Sequence, residues 1–81
     1  MKTANVVTIR DGMVERIRTF YPTPEGFIST KAVEHEFLRE VSTHVSNWDE
    51  YTNDDVEAIC DNGYEGFGCG SVQIFWSDED E

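Results

Sequence analysis

The sequence predicts a small α+β domain in which a three-stranded antiparallel sheet carries two helices on one face, in the order ββααβ. Two alternating, β-branched segments flank Asp11-Gly12, a stripe of apolar residues follows Ser29, and a third alternating segment follows a glycine-rich stretch. With 81 residues, the chain has the length of one domain with a small core. We assign residues 1–76 to this domain and residues 77–81 to a disordered acidic tail.

The dipeptide Asp11-Gly12 predicts the first hairpin. It separates Ala4–Arg10, which is rich in β-branched residues, from a second extended run, Met13–Tyr21. Asp-Gly between two such runs favours a two-residue type I′ turn, because that turn needs positive φ at both central positions. The resulting cross-strand pairs would be Ile9 with Val14 and Val6 with Ile17. Neither face of this hairpin is cleanly apolar, so the register is less firmly predicted than the turn.

A long helix is predicted to begin after a cap at Ser29 or Thr30 and to run to about Ser46. Its buried stripe recurs every four residues and consists of Val33, Phe37, Val41 and Val45, widened by Leu38. The charged residues fall mainly on its other faces, namely Glu34, Glu36, Arg39 and Glu40.

A second helix is predicted to start at Thr52 or Asn53. Thr52 and Asp55 have the spacing of a capping box, and Asn62-Gly63 is a typical helix end. Residues 63–70 are predicted to be a glycine-rich loop. The last strand is predicted at Ser71–Trp76, with one face formed by Val72, Ile74 and Trp76.

Charge is the most unusual property of the chain, which carries a formal net charge of −11. Residues 1–31 contribute +2, from five bases and three acids, whereas residues 32–81 contribute −13, from fourteen acids and one base. The acidic part repels phosphate, so we expect no direct binding to nucleic acid or to an anionic membrane. A basic protein surface is the partner that this charge attracts.

The acids are densest in NWDEYTNDDVEAICD, residues 47–61, which holds six carboxylates and no Lys or Arg. Asp54 and Asp55 fall in the first turn of the second helix, where the helix dipole stabilises negative charge. Helix chemistry does not account for the other four. We predict a partner-binding surface in which aromatic side chains serve as anchors. Its residues are Trp48, Asp49, Glu50, Tyr51, Asp54, Asp55, Glu57, Asp61 and Tyr64.

Motifs for other chemistry do not fit this chain. An EF-hand loop started at Asp49 would have Tyr51 at its third position and Asp54 in place of the required glycine. The glycines of residues 63–70 lack the lysine of a P-loop. No nucleophile elbow, HExxH or Cys–His signature is present, so we predict a non-enzymatic protein without cofactor or metal.

Two cysteines and two histidines leave one alternative open. Cys60 and Cys69 are nine residues apart, and so are His35 and His44. Zinc ligands usually come in pairs about two to four residues apart, a spacing that neither pair has. A disulfide is geometrically possible, although reduced thiols are favoured inside cells. A metal- or redox-dependent function that uses these four residues therefore remains a hypothesis, in addition to the two binding hypotheses given below.

The cellular compartment is predicted from the lack of a targeting sequence. The N-terminal residues do not form a secretory signal, and no apolar run approaches the roughly 20 residues of a membrane span. We therefore expect a cytoplasmic protein.

The preferred functional hypothesis is a small acidic protein that docks on a basic, nucleic-acid-binding surface of a partner. A charge of −11 exceeds the magnitude of about 2–8 that is usual for a soluble small domain, and it costs stability through self-repulsion. In size and charge alone, the chain resembles small acidic inhibitors and DNA mimics of phages and mobile elements. The alternative is an accessory or oligomeric module that binds through the loop around Tyr64 and Phe67 or through a sheet edge. The oligomeric state stays open.

Overall fold

The computed structural model describes residues 2–78, with the side chain of Asp78 left out. Four strands form one antiparallel sheet, and two α-helices pack on one of its faces. The elements are β1 (Lys2–Arg10), β2 (Met13–Phe20), α1 (Thr30–His44), a 3-10 helix (Trp48–Glu50), α2 (Asn53–Asn62), β3 (Tyr64–Phe67) and β4 (Gly70–Asp78). The strand order is β2-β1-β4-β3. The predicted α+β class is confirmed, whereas the prediction of three strands is wrong.

The additional strand is β3, which lies in the segment predicted to be a loop. Its four residues pair antiparallel with β4, from Tyr64 opposite Gln73 to Phe67 opposite Gly70. The glycines around it mark its ends rather than a continuous loop. Gly63 has a φ of 65° and ends α2 in the left-handed conformation, which glycine adopts without strain.

The first hairpin has the predicted turn and a different register. Asp11 and Gly12 both have positive φ, 54° and 79°, as a type I′ turn requires. Ile9 pairs with Val14 as predicted.

Beyond that pair, a β-bulge shifts the register, so that the predicted pairing of Val6 with Ile17 is wrong. Val6 lies opposite Arg18, and Val7 lies opposite Ile17. The bulge places the extra residue, Glu15, beside Arg16.

This bulge decides which side chains of β2 face the helices. Glu15 and Arg16 both reach groups on α1, because Glu15 lies 3.7 Å from His44 and Arg16 lies 3.7 Å from Glu40. Val14 and Ile17 are left on the opposite face of the sheet. We call that face, which neither helix of residues 2–78 covers, the open face. Its side chains, read from the register, are Thr3, Asn5, Val7, Ile9, Val14, Ile17, Thr19, Tyr64, Ser71, Gln73, Phe75 and Ser77.

The core lies between the helices and the other face of the sheet. The predicted stripe of α1 is confirmed, since Val33, Phe37 and Val41 are fully buried. They pack against sheet and α2 residues, namely Ala4, Val6, Val72 and Ile59.

The helix and strand boundaries differ from the prediction by about two residues. The long helix ends at His44 instead of Ser46, and the last strand runs through Ser77 and Asp78, which were predicted to belong to the tail. The other tail residues, 79–81, lie outside the described residues. The second helix starts as predicted, and both hydrogen bonds of its capping box are present between Thr52 and Asp55. Neither described helix is long and apolar enough to cross a membrane.

Two acids of α1 are buried, contrary to the predicted helix faces. Glu36 and Glu40 are only 8% and 6% exposed. They lie under β2, where they meet the guanidinium groups of Arg16 and Arg39. Charged partners from a neighbouring strand make this burial possible, and the helical periodicity alone contains no information about them.

Candidate functional site

The predicted acids lie together on the 3-10 helix and α2, and all of them are exposed. We call this the acidic surface; its residues are Asp49, Glu50, Asp54, Asp55, Glu57 and Asp61. Three of them form one stripe along α2, since Asp54, Glu57 and Asp61 follow the helical spacing of three and four residues. Asp55 has a structural role as well, because its carboxylate accepts a 3.0 Å hydrogen bond from the backbone N–H of Thr52.

Two of the predicted aromatic anchors pack inward, next to the acidic surface. Trp48 and Tyr51 are half-buried, and both pack against the hydrophobic core. Their ring centroids are 5.0 Å apart, with the planes tilted by 35°. The rings therefore fix the short segment between α1 and α2, and only part of their area is available to a partner.

Tyr64 lies apart from the other predicted site residues. Its position opposite Gln73 places it on the open face, whereas the acidic surface lies on the helical side of the sheet. Phe67, which was considered with it as an aromatic loop, is half-buried and stacks on the imidazole of His44 at a centroid distance of 4.8 Å. These two aromatic residues do not form one contact surface.

An acidic hollow of about 400 Å³ opens between α2, the 3-10 helix and β3. Three carboxylates line it, from Glu50, Asp55 and Glu65. Its other walls include Tyr51 and the apolar side chain of Ile59. A shallow depression that has carboxylates beside apolar side chains suits a cationic head on an aliphatic stem.

A hydrogen bond from the Tyr51 hydroxyl to the carboxylate of Glu65 crosses this hollow. The bond raises the pKa of Tyr51 to about 12, with burial and the negative charges of Glu65 and Asp55 adding to the effect. Tyr51 is therefore a neutral donor at physiological pH.

Glu65 is a site residue that the sequence analysis missed. The sequence predicts a loop over residues 63–70, and in a loop the direction of a side chain is not defined. In β3, strand alternation turns Glu65 toward α2 and Tyr64 to the other face. The sequence Tyr-Glu-Gly-Phe alternates as a strand does, but the glycines on both sides of it favour a loop.

Five of the six Lys and Arg side chains contact groups outside the acidic surface. Arg16 and Arg39 contact Glu36 and Glu40, and Arg10 lies 3.7 Å from Glu15. Lys2 and Arg18 lie over aromatic rings, at 5.8 Å from Trp76 and 5.3 Å from Phe20. No ion pair joins Lys or Arg to the acidic surface within residues 2–78.

The cysteines and histidines of the metal hypothesis are in different surroundings. Cys60 is half-buried and Cys69 is exposed, and both are free thiols. Burial, followed by the charges of Glu34 and Asp61, raises the pKa of the Cys60 thiol. His35 is exposed, and His44 packs on Phe67. In the part of the chain described, no three His, Cys, Asp or Glu side chains are arranged to hold a metal ion.

Comparison with other proteins adds no functional information, because no protein-family model, curated protein or solved structure matches this chain. Function must therefore be argued from the acidic surface and the hollow beside it.

Proposed function

We propose that this is a small acidic binding protein that acts without catalysis, by occupying a basic, nucleic-acid-binding surface of a partner protein. One observation carries the proposal: the acidic hollow gathers three carboxylates around Tyr51 and an apolar floor. No Lys or Arg among residues 2–78 lines this hollow. Its negative charge is therefore available to a cation from outside the molecule.

An arginine or lysine of the partner fits this hollow. Its methylene groups lie against Ile59, and its cationic head meets the carboxylates of Glu50, Asp55 and Glu65. Charge-assisted hydrogen bonds of this kind are about twice as strong as neutral ones. The Tyr51 ring adds a surface for cation–π contact.

The stripe of Asp54, Glu57 and Asp61 extends the interface along α2. It presents about one carboxylate per helical turn of 5.4 Å, a row of negative charges that basic residues evolved for phosphates can contact. The net charge of −11 attracts such a surface from a distance and speeds association at low salt. The protein would then act as a DNA mimic and inhibitor, and its two free thiols suit a cytoplasmic setting.

The test is retention of a basic partner on the immobilised protein, compared between wild type and two matched variants. Glu57→Lys reverses a charge in the stripe, and Glu25→Lys makes the same change to net charge in the exposed connector before α1. We expect retention by wild type and Glu25→Lys, and loss with Glu57→Lys. Duplex DNA should elute the partner.

Salt provides the second arm of this experiment. Raising NaCl to about 1 M shortens the Debye length to about 3 Å and should release the partner. Equal retention by Glu57→Lys and wild type, or retention that does not respond to salt, would show that the acidic surface is not the docking site.

A further inference from the structure

The open face differs from the rest of this highly charged protein. It carries no charged group among the strand side chains that the structure describes, although 28% of all residues are charged. The charged residues of the strands point to the helical side instead; they are Lys2, Arg10, Glu15, Arg16, Arg18 and Glu65.

The open face is also apolar and accessible. Four large side chains across its strands are about half exposed: Val14 57%, Ile17 56%, Tyr64 50% and Phe75 47%. Val7 and Ile9 lie between them on β1. Two neutral hydrogen bonds join polar side chains of this face. The Thr19 hydroxyl donates to the side-chain oxygen of Asn5 at 2.7 Å, and the Gln73 amide donates to the Ser71 hydroxyl at 3.2 Å.

The bulge in β2 is what keeps this face free of charge. Without the extra residue, continuous alternation from Val14 would place Arg16 and Arg18 on the open face and Ile17 under the helices. The bulge instead keeps Glu15 and Arg16 on the same side, where they reach His44 and Glu40. A local irregularity thus gives one sheet face with apolar residues from all four strands.

We propose that the open face is the surface through which two copies of this chain associate, with their sheets stacked face to face. A second copy fits this face because the face is uncharged, although the two chains as wholes repel each other. Each chain carries −11, so most pairs of identical surfaces would bring like charges together. The open face can meet its own copy without placing one carboxylate against another.

The area of the open face sets the strength of this association. Three strands have eight or nine residues and β3 has four. At about 3.3 Å per residue and a strand spacing of about 4.8 Å, they cover about 480 Å². A dimer would bury about 1,000 Å² in total, which is at the lower limit for specific interfaces. The sheets would stack about 10 Å apart. We therefore expect a reversible dimer whose population rises with protein concentration.

Salt should strengthen the dimer, because it screens the repulsion between two acidic chains. Docking of the acidic surface on a basic partner should weaken with salt. The two proposals therefore predict opposite responses and can fail independently, since they use opposite sides of the sheet.

The test is sedimentation of the full chain over a range of concentrations at about 0.01 M and about 1 M NaCl, where the Debye length falls from about 30 Å to about 3 Å. Phe75→Lys is the main variant. Phe75 lies on β4, an interior strand, so its contact with a second copy requires the face and not a sheet edge. We expect a dimer at high salt in wild type, and a rise of at least about 30-fold in the dimer dissociation constant with Phe75→Lys.

Ile17→Lys and Phe27→Lys complete the comparison. Ile17 lies on the open face, whereas Phe27 is 62% exposed in the connector before α1, and both variants change the charge equally. Ile17→Lys should weaken the dimer, and Phe27→Lys should sediment as wild type does. Circular dichroism melts confirm that each variant is folded. A wild type that stays monomeric at about 1 mM and high salt, or dimers unaffected by Phe75→Lys, would overturn the proposal.

Discussion

The hydroxyl of Thr8 donates a 2.9 Å hydrogen bond to the carboxylate of Glu40, in the interface between β1 and α1. Both residues are buried, and the same carboxylate lies 3.7 Å from Arg16 and 3.3 Å from Arg39. Glu40 therefore joins the helix to two strands in a region where unpaired polar groups are costly. Its loss should affect the fold more than the loss of any exposed acid.

Replacing Glu40 by Ala should lower the free energy of unfolding by about 1–3 kcal/mol. The reason is that buried Thr8 loses its hydrogen-bond acceptor and Arg16 loses an ion-pair partner, although the half-exposed arginines regain some hydration. Urea denaturation measures the change. Glu57→Ala, at an exposed position of α2, is the control and should stay within about 0.5 kcal/mol of wild type. Equal stability of the two variants would contradict this assignment.

Glu36 should make stability depend on acid pH. The hydrogen bonds from Arg39, at 2.7 and 3.3 Å, hold the pKa of Glu36 below its ordinary value, against the opposing effect of burial. Since the folded pKa is lowered, this contribution is present above the unfolded value, about pH 4.5, and is lost as pH falls through the folded value.

The measurement compares wild type with Glu36→Gln in urea from neutral pH downward. The stability difference should be largest above about pH 4.5 and should shrink below it. Glu25→Gln, which makes the same substitution in the exposed connector, serves as the control. A difference between wild type and Glu36→Gln that stayed constant at every pH would exclude the Arg39 contact as its cause.

Gly70 should be intolerant of any side chain. A Cβ atom there would lie 1.8 Å from the backbone oxygen of Ile9, so β1 and β4 would have to separate locally. We expect Gly70→Ala to cost more than about 3 kcal/mol in thermal or urea unfolding. Gly68→Ala is the matched control, because a Cβ at Gly68 meets nothing within 4 Å. If both variants unfolded alike, the close approach of these strands would be wrong.

Tyr51 should ionise about two pH units above an ordinary tyrosine, because its hydroxyl donates to Glu65 and its pKa rises to about 12. A raised folded pKa means that the bond stabilises the protein below pH 10 and that this stability is lost as pH rises toward 12. The phenolate absorbance of the folded protein should lose its step near pH 12 in Tyr51→Phe. Tyr64→Phe should retain that step. If the step disappeared in Tyr64→Phe instead, its assignment to Tyr51 would be wrong.

Features governed by near neighbours in the chain could be predicted from sequence. The type I′ turn at Asp11-Gly12, the capping box of Thr52 and Asp55, and the buried stripe of α1 all follow this rule. Each is fixed by the conformational preference of a few residues or by helical spacing, so no knowledge of the rest of the fold is needed. The exposed acids of α2 were predicted for the same reason.

Features that depend on distant partners could not be predicted in this way. The pairing of β3 with β4 gives Glu65 its direction, and burial of Glu36 and Glu40 requires arginine side chains from β2 and from the helix itself. Alternation within β2 contains no sign of the bulge, because the extra residue is absorbed only when β1 supplies the opposing hydrogen bonds.

The sequence by itself therefore determined the fold class, the turn, the caps and the concentration of acids in residues 47–61. The tertiary structure decided how those acids are used. Strand register brings Glu65 to Tyr51 and sends Tyr64 to the open face, because a shift of one residue reverses every side chain of a strand. The same register separates an acidic side from an uncharged side, and this separation depends on hydrogen bonds between strands that lie far apart in the chain.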